Sequence, residues 1–260
     1  VSKAPASTLL GVSLKMYFGH RQTVSWCQEV ARMAAGHPAL AGGKVTLFVL
    51  PSFPALVPAL QAFADSPVQL GAQDLYWQDS GPFTGEVSGP QLREAGCRFV
   101  EVGHAERRRL FAESDLDVAA KTAAAVRNGL TPVICVGEQQ QMPVQAAAAV
   151  CTGQLAVAMG TAMAQGDGSA PIVVAYEPVW AIGAAEPAST EHIRGVCAYL
   201  QDWLGTQDTF PHYRVIYGGS AGPGLLARLG QEVDGLFLGR FAHDVQALAG
   251  IVDEAAARLQ

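Results

Sequence analysis

Three polar residues stand where apolar runs stop: Lys15 after the first run, His104 after Phe99–Val102, and Glu177 after Ile172–Tyr176. Together they form a set for proton chemistry beside a carbonyl. A carboxylate removes a proton from carbon, a neutral imidazole polarises the neighbouring oxygen and shuttles protons, and an ammonium stabilises the developing negative charge. Other runs close on Gln73, Glu138, Ser220 and the pair Gly239-Arg240. The turns Gly218-Gly219-Ser220 and Leu238-Gly239-Arg240 can present backbone N–H groups to an anion such as phosphate.

These residues work together only if the elements that carry them end on one face. The strand candidates are 9–16, 45–50, 69–72, 99–102, 132–136, 172–176, 214–217 and 235–238. Most are continuous apolar runs, as expected for strands buried on both faces of a parallel sheet. Helical patterns lie between them. Val24, Cys27, Val30 and Ala31 mark one over 24–35, and Ser114 caps a second over 115–127, which Asn128-Gly129 stops. A third runs over 190–203 with Ser189 or Thr190 as its cap, and a fourth over 243–259. Eight strand-then-helix units in 260 residues give about 32 residues apiece, the length of a βα repeat in an eight-fold barrel. In such a barrel the strand C-terminal ends carry the active site. A doubly wound open sheet is the alternative fold, but no G-x-G-x-x-G follows the first strand. No linker or composition shift divides the chain, so the expectation is an α/β fold with one (β/α)8 barrel domain over 1–260.

Composition excludes several classes. Half the residues are hydrophobic and 15% are charged, which rules out disorder. Seventeen Lys and Arg against 23 Asp and Glu give a net charge of −6. No basic stripe exists to follow a nucleic-acid backbone. The five cysteines have no metal-knuckle spacing, so the reading is a reduced cytoplasmic chain without a cysteine metal site. The opening VSKAPASTLL is too polar and too short for a signal peptide. The Ala-rich run 145–165 reads as a packed amphipathic helix, not a membrane span.

Five segments carry a resemblance. AYEPVWAIG (175–183), EVGHAERR (101–108), GAQDLYWQDSGPFTGEVS (71–88), PVICVGE (132–138) and YGGS (217–220) resemble, in order and at matching spacing, segments of the triosephosphate isomerase family. The resemblance implies interconversion of glyceraldehyde 3-phosphate and dihydroxyacetone phosphate through a cis-enediolate, as in glycolysis and gluconeogenesis, with no cofactor. By position, Glu177 is the base, His104 the electrophile, and Lys15 the positive charge on substrate and enediolate. Glu106 is then a supporting acid group, and Gly183, Ser220 and Gly239 give N–H groups to phosphate. Residues 178–186 form a lid that excludes water from the intermediate. The resemblance also implies a homodimer through the loop between Gln73 and Glu86, with Thr84 at its tip and Trp77 and Phe83 flanking it.

The chain departs from the family pattern at the substrate. SLKMY stands where the family reads NWKMN, so Ser13 replaces an asparagine that bonds the substrate oxygen. Its shorter reach leaves room for a water or for extra substrate. Gly239-Arg240 replaces a glycine pair and adds a guanidinium near the phosphate. The second lid hinge, Ala184-Ala185-Glu186, lacks the family's glycine and should be stiffer. Serine with the Gly-Arg pair resembles relatives that isomerise four-carbon ketose phosphates such as erythrulose phosphate. That is the alternative substrate, and it points to sugar-alcohol catabolism.

Two motifs belong to other chemistries. Gly218-Gly219-Ser220-Ala221-Gly222 fits the G-x-S-x-G elbow of serine hydrolases, with Asp234 and His243 later in the chain, but no HGGG-type oxyanion motif accompanies it. His104-Ala105-Glu106 fits the H-x-E of zinc deaminases, but no P-C-x-x-C follows. A non-catalytic phosphate-binding barrel is a third class, against which the intact Lys15, His104 and Glu177 argue.

Overall fold

The structure is a computed structural model that describes residues 7–258 apart from 167 and 185. The opening six residues, the last two, and Ala185 of the lid hinge lie outside the described residues. Among the described residues eight strands form the sheet: β1 (Thr8–Ser13), β2 (Val45–Leu50), β3 (Gln69–Ala72), β4 (Phe99–Val102), β5 (Thr131–Val136), β6 (Ile172–Tyr176), β7 (Tyr213–Tyr217) and β8 (Gly235–Leu238). Each pairs in parallel with its successor, and β1 closes on β8 from Leu9↔Gly235 to Val12↔Leu238. The result is the closed (β/α)8 barrel. The expected strand 9–16 stops at Ser13, because the chain turns at Lys15 with φ of +49°.

Alternation along each strand sorts side chains between two cores. Inside the barrel lie Leu9, Phe48, Leu50, Phe99, Val133, Cys135, Val173, Ala175, Ile216 and Phe237. Phe48 stacks on Phe99 with ring centroids 4.3 Å apart. The outward residues pack against the ring of helices. Continuing the inward rows by two brings Glu101 above Phe99 and Glu177 above Ala175. The same alternation that fills the barrel therefore aims two carboxyl groups into its mouth.

Local signals set the helices. Ser114 and Asp117 form a capping box at the start of Asp115–Arg127, and Gly129 follows with φ of +68°. Ser189 caps Thr190–Gly205 by accepting the His192 N–H. The first helix begins earlier than its apolar stripe, at His20. The last begins at Val245, because Asp244 rather than His243 caps it; residues Arg240–His243 form a separate turn. The long helix Val144–Ala164 is apolar enough to cross a membrane. It nevertheless packs on Asp115–Arg127 and Thr190–Gly205, burying Ala147, Cys151, Leu155, Ala158 and Ala162 as one stripe. Its fit rests on that stripe of small and apolar residues rather than on amphipathic contrast.

A buried charge cluster ties the third and fourth loops to the helix ring. Lys121 donates to Asp74 (2.7 Å) and Glu113 (2.5 Å), and Arg107 reaches the same two carboxylates at 2.8 and 2.9 Å. Glu113 also accepts the Gly103 N–H at 3.0 Å, which fixes the residue before His104. Removing one member leaves the others charged and desolvated. Lys121→Met is expected to lower stability by about 3–5 kcal/mol, read as a lower urea midpoint; an unchanged midpoint would mean that the cluster is not holding the fold.

Candidate active site

Lys15 lies in the turn that follows β1, and its left-handed backbone is held from below. The Gln73 side-chain amide donates to the Lys15 carbonyl (3.1 Å) and the Leu50 carbonyl (2.9 Å), joining the ends of β1, β2 and β3. The ammonium then reaches Glu106 Oε1 at 2.7 Å. Burial lowers the Lys15 pKa, but the bond and charge of Glu106, with Glu177 and Glu101, outweigh it and leave it raised. Burial raises Glu106, and Lys15 outweighs it, so that carboxylate sits below its ordinary range. Both members of the pair are charged.

His104 caps the helix Ala105–Phe111, and its Nδ1 accepts the Glu106 backbone N–H at 3.1 Å. That bond puts the imidazole proton on Nε2. Burial and the nearby Lys15 charge depress the His104 pKa to about 4. The ring is therefore a neutral donor whose Nε2–H points into the barrel mouth.

Glu177 follows β6 directly, and its backbone N–H donates to Val136 O at 2.8 Å. Its Oε2 lies 3.3 Å from His104 Nε2 and has no hydrogen-bond partner among the described residues. Burial first, and then the Glu101 charge, push this carboxyl well above the usual range, with Lys15 pulling the other way. Two glycines make space for it. A Cβ on Gly137 would stand 2.0 Å from Glu177 O, and one on Gly218 would stand 2.5 Å from Oε1. Either side chain would move the base.

These groups line a cavity of about 700 Å³ at the C-terminal ends of the strands. Ser13 and His104 are at its floor; Gly183, Ser220, Gly239 and Arg240 line it as well. All nine sequence-derived site residues thus meet in one place. Ser220 differs in detail, because its hydroxyl shares its one proton between Ala181 O (3.1 Å) and Ala184 O (2.8 Å) and holds the lid. The lid begins with a turn at Val179–Ala181 and reaches Gly183 with φ of +74°. Its near end hangs on Glu138, which is fully buried and accepts from Trp180 Nε1 (2.8 Å) and Tyr176 Oη (3.1 Å). The hydrolase triad does not assemble. Asp234 accepts the Val215 N–H, and His243 packs on Phe18 at 4.4 Å.

Sequence reasoning missed Glu101 and gave Glu138 no role. Glu101, 3% exposed, accepts the Ser13 hydroxyl at 3.0 Å beneath the cavity. Burial raises its pKa to about 8 against the opposing pull of Lys15 and Ser13. The signal was a charged residue inside the run FVEV.

The His104 geometry has a direct spectroscopic consequence. Nitrogen-15 NMR is expected to show the neutral Nε2–H tautomer throughout about pH 5.5 to 8; a protonation midpoint near 6.5 would contradict it.

The family model for triosephosphate isomerase matches residues 8–255. The chain is 58% identical over 249 residues to the L-erythrulose-1-phosphate isomerase of Pectobacterium atrosepticum, covering 95% of each chain. It is 38% identical over 220 residues to the triosephosphate isomerase of Moorella thermoacetica, covering 83% of this chain and 88% of that one. The crystal structure of triosephosphate isomerase from Bartonella henselae superimposes with a TM-score of 0.78 at 26% identity, over 96% of this chain and 99% of that one. With a neutral imidazole, a buried carboxyl and an ammonium at the mouth of a closed barrel, this chain belongs to the triosephosphate isomerase family and is an isomerase, one that shifts a carbonyl between adjacent carbons.

Proposed function

We propose that the substrate is a four-carbon ketose phosphate of the erythrulose 1-phosphate type. The observation that carries this reading is the 58% identity, over 95% of both chains, to an L-erythrulose-1-phosphate isomerase. The site supports it: Ser13 at the cavity floor is shorter than the asparagine of the family pattern and leaves room for one more carbon.

The chemistry follows from the geometry. Glu177 removes the proton from the hydroxyl-bearing carbon next to the carbonyl. His104 Nε2–H donates to the carbonyl oxygen, and the Lys15 ammonium offsets the charge of the cis-enediolate. Glu177 returns the proton to the former carbonyl carbon, and the oxygens exchange roles through the imidazole. In a triose phosphate this step interconverts aldose and ketose. In erythrulose 1-phosphate it moves the carbonyl from C2 to C3. The Gly183, Ser220 and Gly239 backbone and the Arg240 guanidinium receive the phosphate, and closure of the lid keeps water from the enediolate. The net charge of −6 does not oppose an anionic substrate, because the local field at the mouth governs capture.

We infer in addition a homodimer, joined through the loop between Gln73 and Glu86. Tyr76 stacks on Trp77 (4.2 Å) and meets Phe83 (4.5 Å), while Asp79 is held by Arg127 at 2.9 Å, so the loop has a fixed shape with Thr84 exposed. A reducing cytoplasmic setting suits the five free, buried thiols.

Two measurements test these readings. Side by side, kcat/KM for erythrulose 1-phosphate is expected to exceed that for dihydroxyacetone phosphate by at least about tenfold, or about 1.4 kcal/mol of transition-state preference. A triose preference would return the chain to the glycolytic reaction. Light scattering at micromolar concentration is expected to give twice the chain mass, and a fully active monomer would refute the dimer.

A further inference from the structure

Glu101 is a buried carboxyl that the proton transfers above do not use. Burying such a group is costly unless its bonds are satisfied, so its position calls for a physical account. It projects inward from β4 and lies under Ser13, which lines the cavity floor from β1. Ser13 Oγ donates to Glu101 Oε2 at 3.0 Å. The other oxygen, Oε1, faces Cys135 Sγ and His104 Nε2, both at 3.9 Å. In the bond from Ser13, Oε2 is the acceptor.

The direction of that bond sets what Ser13 offers to a ligand. A hydroxyl has one proton and two lone pairs. Here the proton is committed downward to Glu101, so only lone pairs face the cavity. An asparagine at this place can turn an amide donor to a carbonyl or enediolate oxygen. Ser13 held by Glu101 cannot: against such an oxygen it presents lone pair to lone pair. What it matches is a hydroxyl that stays a hydroxyl throughout the reaction. A triose phosphate has none, because both of its free oxygens take part in the carbonyl shift. Erythrulose 1-phosphate has one, the terminal C4 hydroxyl beyond the reacting C2 and C3.

We propose that Ser13 and Glu101 form the specificity pair of this site, with Glu101 positioning the Ser13 hydroxyl as an acceptor for the terminal hydroxymethyl of a four-carbon ketose phosphate. This rests on the four-carbon reading given above. Ser13 touches the substrate, and Glu101 acts through Ser13. The pair contributes at a spectator group, so its effect falls mainly on KM rather than on kcat.

The test is the ratio of kcat/KM for erythrulose 1-phosphate to that for dihydroxyacetone phosphate, in the wild type and four variants. Ser13→Ala and Glu101→Leu are each expected to lower the ratio by about tenfold, chiefly through KM for the four-carbon substrate. Glu101→Gln keeps an acceptor under Ser13 and is expected to hold the ratio within about threefold of the wild type. The double variant Ser13→Ala/Glu101→Leu is expected to fall no further than either single one. Loss of both activities by a common factor, with the ratio unmoved, would make Glu101 a packing residue and overturn the pair. So would a further fall on adding Glu101→Leu to Ser13→Ala, since Glu101 would then not act through Ser13. If Glu101→Leu does not fold, Ser13→Ala and Glu101→Gln still decide between a moved and an unmoved ratio. A wild type that prefers the triose overturns the substrate reading, and the pair with it, before any variant is made.

Discussion

A carboxyl taken out of water opposite a neutral imidazole is the constraint on which this site depends. Glu177 Oε2 stands 3.3 Å from His104 Nε2 with no hydrogen-bond partner among the described residues. Left in water, the same carboxylate would be a weak base. In the barrel mouth, desolvation and the neighbouring Glu101 raise its proton affinity, so that it can compete for a proton on carbon. Desolvation acts the opposite way on His104 and keeps it neutral, so it donates from Nε2 without carrying a charge. One physical cause, burial, thus shifts both groups in the directions that the proposed roles of base and electrophile require. Lys15 supplies the positive charge that makes the assembly tolerable.

Much of the surrounding structure serves to hold that arrangement. Gln73 fixes the left-handed turn that aims Lys15, and the Glu106 N–H fixes the His104 tautomer. The Lys121 cluster anchors Gly103 through Glu113. Gly137 and Gly218 leave the volume that the Glu177 backbone and carboxyl occupy. At the rim, Glu138 and Ser220 hold the two ends of the lid with side-chain bonds to Trp180 and to the Ala181 and Ala184 carbonyls. The base is therefore fixed by covalent neighbours and packing, and the lid by bonds that can be exchanged.

The eight strands were legible because strands buried on both faces leave uninterrupted apolar runs, and the strand ends before His104 and Glu177 were marked by abrupt polarity. The end of β1 was misplaced because Leu14 and Met16 continue the apolar pattern past a turn set by backbone conformation at Lys15, which hydropathy does not report. Glu101 was passed over for the opposite reason. A single charge within FVEV gives no hint of its partner, since Ser13 lies 88 residues away in the chain and meets it only across the barrel. Ser220 was correctly placed at the cavity, but its bonds to the lid depend on the lid's path and not on any motif. Glu138 marked a strand end, while its three aromatic and imidazole neighbours come from β6, the lid and the helix Thr190–Gly205.

In the proposed mechanism the carbonyl shifts by proton transfer through Glu177. Running the reaction in deuterium oxide and following the product by proton NMR tests it directly. Deuterium is expected at the carbon that receives the proton, because the Glu177 carboxyl exchanges with solvent, and Glu177→Gln is expected to abolish both turnover and deuterium uptake. Product formed with its carbon-bound hydrogen fully retained, at a rate unaffected by Glu177→Gln, would point to a hydride shift and rule this mechanism out.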